Sequence, residues 1–130
     1  MALDVGKRRI GIAVTDLLAI TARPHSTIPR NREAPKKIAA IVQEMEVGKL
    51  LVGLPVHLSG VEGEQAKDVR SFVSQLGEYV SVQIEFKDER LTTVEAEQRL
   101  SDRRGDWRKK KKQIDAVAAS IMLEDYLKEQ

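Results

Sequence analysis

Apolar residues recur with two different periods along this 130-residue chain, and the switches between them outline its elements. Met1 to Val5 is a short apolar run. Arg9 to Thr15 then alternates Ile10, Ile12 and Val14 with Gly11, Ala13 and Thr15, the period of two that marks a strand. A third extended piece is predicted over about Ser26 to Ile28, ended by Pro29 and the polar stretch Arg30 to Glu33. Pro35 suits the first turn of a helix whose apolar face is Ile38, Ile41, Val42 and Met45, with Gly48 as its natural terminator. Between Lys49 and Gly53, Leu50, Leu51 and Val52 are apolar on both faces, as in a buried strand. The next helix carries Ala66, Val69, Phe72, Val73 and Leu76, with Gly77 just past its end. Val82, Ile84 and Phe86 alternate with polar neighbours, predicting a strand with one wet face near a sheet edge. Thr92 and Glu95 form a capping box for a further helix, and Ile114 to Leu127 reads as a buried helix, apolar nearly all round.

Three strands followed by helix, strand, helix, strand, helix and helix describe an α/β sheet covered on both faces. Antiparallel pairing opens it and right-handed crossovers complete it. No repeat, low-complexity tract or linker divides the chain, so residues 1–130 are expected to form one domain. Aromatics make up 4% of the residues, which leaves the core to Val, Ile, Leu and Ala. With no basic leader and no apolar run long enough to span a bilayer, a soluble cytoplasmic protein without membrane association is expected.

The net charge of +2 conceals an asymmetry. From Arg99 to Gln113, eight Lys or Arg stand against Asp102 and Asp106, a local +6 that leaves −4 for the remainder. A concentrated basic segment on a mildly acidic body is the footprint of a protein that grips phosphate backbones, although a solvated, solubilising loop would look the same. Gly105 and the lack of any apolar period predict a mobile segment without regular structure.

Three acids complete the picture. Asp4 in Asp4-Val5-Gly6, Glu89 in Asp88-Glu89-Arg90-Leu91-Thr92-Thr93 and Asp115 in Ile114-Asp115-Ala116-Val117 lie against apolar or structure-ending residues, not on charged faces. Cysteine is absent and the only histidines are His25 and His57, which excludes a Cys/His zinc site, a disulfide framework and a thiol nucleophile. Oxygen ligands of this kind suit Mg²⁺ or Mn²⁺.

Together with Lys7-Arg8-Arg9-Ile10-Gly11-Ile12-Ala13-Val14, Val52-Gly53-Leu54-Pro55 and Gly60-Val61-Glu62-Gly63-Glu64-Gln65-Ala66, these acidic motifs resemble, end to end and in order, the YqgF family of Holliday-junction-resolvase-like, pre-16S rRNA nucleases. The resemblance implies a ribonuclease-H-like mixed five-stranded sheet of order 3-2-1-4-5, with strand 2 antiparallel and helices on both faces. It also implies a bacterial cytoplasmic nuclease acting on structured nucleic acid, either in 5′ processing of precursor 16S ribosomal RNA or as a resolvase of branched DNA.

Phosphodiester hydrolysis needs an activated water and neutralised oxygens, which two divalent ions roughly 3.5–4 Å apart can supply if carboxylates hold them. In the implied sheet Asp4 lies on the central strand and Glu89 follows a strand two places away. Asp115 is expected in the first turn of the last helix, in projection among Ala119, Met122 and Tyr126, where an unpaired carboxylate would be costly. Strand phase sends Asp88 with Phe86 and Glu89 the opposite way; the family pattern carries its acid at Glu89, leaving Asp88 in support. Lys7, Arg8, Arg9, Arg90, Arg104, Lys109, Lys110, Lys111 and Lys112 are the candidate phosphate contacts. Gly6 and Gly11 would allow close backbone approach to a phosphate, His57 could shuttle protons, and Trp107 could stack on a base.

Two other classes compete. The hairpin Asp-Gly also occurs in actin-like ATPases and sugar kinases, which need a second lobe that 130 residues cannot provide. A catalytically weak nucleic-acid-binding ribosome maturation factor is the other, but such a factor would bind better without the acids. A monomer or weak homodimer is expected, a junction resolvase requiring two symmetric sites.

Overall fold

A computed structural model of the chain describes residues 1–16, 21–55, 62–88 and 107–129. Its strands are β1 (Ala2–Val5), β2 (Arg9–Thr15), β3 (Ala22–Pro29), β4 (Lys49–Leu54) and β5 (Gln83–Asp88), and its helices α1 (Ala34–Glu44), α2 (Glu64–Leu76) and α3 (Trp107–Lys128). The capping box at Thr92 and Glu95, and the helix expected after it, lie outside the described residues.

The strands form one sheet in the order β3-β2-β1-β4-β5. β2 runs antiparallel to both β1 and β3, whereas β1, β4 and β5 pair in parallel. This is the ribonuclease-H-like sheet, with one reversed strand and its edges at β3 and β5.

Alternation along the strands divides the core in two. Leu3, Val5, Ile10, Ile12, Val14, Leu50, Val52 and Leu54 face α1 and α2, meeting Ile38, Val42, Val69, Phe72 and Leu76. Ala2, Ala13 and Leu51 face α3, meeting Ala119, Met122 and Leu123. Small residues on this second face let α3 lie close to the sheet.

Two helix boundaries differ from expectation. α1 stops at Glu44, and the left-handed turn falls on Glu46 with φ 52°, not on Gly48. The amide of Val47 bonds back to the carbonyl of Val42 at 2.9 Å, and Val47 packs on the core. That apolar tuck fixes the turn one residue before Val47, where Glu46 must accept an unfavourable backbone angle. α3 begins at Trp107, so Lys109 to Lys112 belong to a helix instead of an irregular loop. Lys and Arg are strong helix formers, and a run of them needs no apolar period to continue a helix whose later turns are packed.

The wet face expected of β5 is partly covered. Lys49 of β4 sits 2.6 Å from Glu85 and donates to the Tyr126 hydroxyl at 2.7 Å, while Lys87 bonds Glu129 at 2.9 Å. These polar groups pin the C-terminal half of α3 to the sheet.

Candidate active site

β1 and β2 join through a tight hairpin in which the Gly6 amide donates to the Arg9 carbonyl at 2.8 Å. In the antiparallel register Asp4 stands opposite Gly11, so its side chain emerges on the face Gly11 would occupy if it had one. That face belongs to α3. A Cβ built on Gly11 would lie 2.1 Å from the backbone C and O of Asp115. Glycine at 11 thus seats the helix, and it brings the Asp115 backbone onto the strand position that stands opposite Asp4. The close approach expected of Gly11 is real, but what approaches is α3.

Asp115 occupies the third turn of α3, not the first, because the helix starts earlier than its apolar residues suggest. The expected projection holds: Asp115, Ala119, Met122 and Tyr126 follow one stripe along the sheet, the last three packing around Ala2, Ala13 and Leu51. The carboxylate is not unpaired. Arg9, two residues before Gly11 on the same strand face, donates from Nε to Asp115 Oδ2 at 2.9 Å, with the two side chains 39% and 21% exposed. Gly6, Lys7, Arg8, Arg9 and Asp115 line a cleft of about 300 Å³. A larger hollow of about 470 Å³ opens at the opposite end of the sheet, around Met1, Met45, Val47 and Leu127, away from this pair of acids.

Lys7 and Arg8 are exposed on the hairpin, as phosphate contacts require. Arg9 is engaged with Asp115. Asp88 ends β5 in register with Leu54, whose side chain belongs to the α1 and α2 core, so strand phase directs Asp88 away from the Asp4 face. Glu89, Arg90, Arg104 and His57 lie outside the described residues, as do the side chains of Trp107 and Lys109 to Lys112. Among the described residues no three Asp, Glu or His side chains group as a metal site. The described donors are carboxylates alone, a set that fits a hard divalent cation once a further acid joins them.

The sequence did not point to Arg30. At the end of β3 and only 18% exposed, it donates to the Gly6 carbonyl at 3.0 Å and to both Asp68 oxygens at 2.6 and 3.0 Å, and lies 5.2 Å from the centroid of Phe72. It ties the hairpin that follows Asp4 to helix α2. Hydrogen bonding to Arg30, with the charges of Arg30 and Lys7, holds the Asp68 carboxyl below its ordinary 3.8 against its partial desolvation. A depressed carboxylate stabilises the fold fully above its unfolded value and loses that contribution as pH falls through the folded value. Asp68→Asn is therefore expected to cost about 0.5–1 kcal/mol at neutral pH, the scale of a partly exposed pair. The difference from the parent should shrink below pH 3.8, and urea melts at pH 7 and pH 3 check it. Equal differences at both would mean that Asp68 ionisation is not coupled to folding.

The order of the strands and the single reversed one define a ribonuclease-H-like fold. Its fold is similar to that of a fowlpox virus resolvase solved with a Holliday junction substrate, at a TM-score of 0.54 and 10% identity over 98% of this chain and 95% of that one. The chain belongs to the RuvX family, described as Holliday junction resolvase, whose sequence pattern matches residues 1–129. Similar bacterial proteins carry the name "Putative pre-16S rRNA nuclease". One from Chloroflexus aggregans is 45% identical over 98% of this chain and 91% of its own length. Another from Roseiflexus is 44% identical over 100% and 94%, and one from Lactococcus lactis is 37% identical over 98% and 92%.

Proposed function

We propose that this protein is a metal-dependent nuclease that hydrolyses phosphodiester bonds of structured nucleic acid, with the 5′ end of precursor 16S ribosomal RNA as its substrate. The observation that carries this reading is the seating of Asp115 on Gly11, directly opposite Asp4, at the carboxyl end of the central strand. The names of relatives matched over nearly their whole length support precursor 16S ribosomal RNA as the substrate.

Asp4 and Asp115, with Glu89 as the third acid, are the residues that would hold Mg²⁺ or Mn²⁺. The cation would lower the pKa of a water so that it gives up a proton and becomes nucleophilic toward phosphorus, and would neutralise charge on the leaving oxygen. The chain's own groups do the rest. Lys7 and Arg8 hold the backbone phosphates at the mouth of the cleft, and Lys109 to Lys112, with Arg90 and Arg104, extend the grip along the strand. Arg30 fixes the hairpin on which Lys7 and Arg8 are carried. No helix among the described residues is long and apolar enough to cross a membrane, and a ribosomal RNA substrate would be met in the cytoplasm. It acts as a monomer or weak homodimer.

A second reading, resolution of four-way DNA junctions, is favoured by the family description and by the fowlpox neighbour. Labelled precursor 16S RNA and a labelled four-way junction, each incubated with Mn²⁺ and with chelator, separate the two. Cleavage of the RNA near its mature 5′ end, abolished by chelator, is expected. Symmetric nicking of the junction with intact RNA would favour the resolvase, and cleavage in chelator would rule out the metal.

A further inference from the structure

We infer that Arg9 is a positioning residue that holds Asp115 through its Oδ2 oxygen until a divalent cation displaces it, whereupon the freed guanidinium turns to a substrate phosphate. The inference rests on the metal-site reading above and adds to it the group that competes for the site.

Several features of the pair and its surroundings support it. The bond, 2.9 Å long, is a single one made through Nε to the same carboxylate that would ligate the ion. A guanidinium and a divalent cation repel one another, so both cannot share Asp115 without loss. Arg9 is also the more open partner, 39% exposed against 21% for Asp115, so the guanidinium can leave toward solvent while a cation takes its place on the carboxylate. Arg30 shows what a fixed arginine in this fold looks like: 18% exposed, forked onto Asp68, bonded to Gly6 and set against Phe72. Finally, Arg9 lines the same cleft as Lys7 and Arg8, so release from Asp115 leaves it beside the groups expected to receive phosphate. Cation uptake and phosphate binding would then favour each other, since each relieves the cost of the other.

The test is direct binding of Mn²⁺ to the purified full chain, reading free ion by electron paramagnetic resonance, for the parent, Arg9→Gln and Asp115→Asn. The parent should bind Mn²⁺, Asp115→Asn more weakly, and Arg9→Gln about tenfold more tightly, equivalent to about 1.4 kcal/mol for one lost competing bond. In parallel, the Arg9 Nε–H nitrogen resonance, assigned by its absence in Arg9→Lys, should shift as Mg²⁺ is added to the parent. If the parent binds Mn²⁺ but Arg9→Gln binds it equally or less well, the inference is overturned while the metal site stands. If the parent fails to bind, or Asp115→Asn binds like the parent, the metal-site reading falls and takes the inference with it. Should Arg9→Gln not fold, an Arg9 resonance unmoved by saturating Mg²⁺ overturns the inference by itself.

Discussion

Asp4→Asn is expected to lower the cleavage rate by at least about a thousandfold, because several kcal/mol of charge stabilisation would depend on the ion proposed for this site. Asparagine keeps the shape and one acceptor oxygen but not the charge. On the central strand, with Ala2 and Leu3 beside it fully buried, it should still fold. The melting free energy should change by less than about 1 kcal/mol, and removal of a carboxylate near Asp115 could raise it. Single-turnover cleavage and a thermal melt on the same preparation decide the matter. A variant that cleaves like the parent would remove Asp4 from the site. A variant that fails to fold would make Asp4 a structural residue.

The second large effect belongs to Gly11→Ala. One methyl group at this position would meet the Asp115 backbone at 2.1 Å, a distance no side chain can relieve by rotating, so α3 must move. Overpacking of this kind costs about 1–3 kcal/mol. The activity should fall further than the stability, because displacing a reacting group by even 1 Å can cost about a hundredfold. Gly48→Ala is the control: nothing lies within 4 Å of its added carbon, and it should be neutral or slightly stabilising. Melts and cleavage rates of the two variants, compared side by side, should differ sharply. Matching behaviour would mean that α3 is not seated on Gly11.

Much of this arrangement was legible in the chain because it is local. The alternation of Ile10, Ile12 and Val14 gave β2 its bounds, and the stripe of Ala66, Val69, Phe72 and Leu76 gave α2 its buried face. Even Asp115 was rightly projected onto the line of Ala119, Met122 and Tyr126. The strand order came from resemblance to a family and not from periodicity, since alternation says which residues share a face but not which strands are neighbours. What stayed hidden joins distant parts of the chain. Arg9 and Asp115 are 106 residues apart, Arg30 and Asp68 are 38 apart, and no spacing rule connects either pair. Gly11 looked like a turn or phosphate glycine because its partner is a backbone more than a hundred positions later. The basic run looked like a loop because it lacks apolar residues, whereas its helical state follows from propensity and from the packed turns beyond it.

That last point bears on how the protein tolerates change in length. Lys112 and Asp115 lie on one continuous helix, so the chain between them is a rigid ruler and not a tether. Each residue inserted there would advance the basic run by about 1.5 Å and rotate it by about 100° around the axis. A single added residue would swing the basic run just over a quarter-turn away from its present bearing while leaving Asp115 on its glycine seat. Seven residues, close to two full turns, would bring them back into phase. A loop in the same place would have absorbed either change.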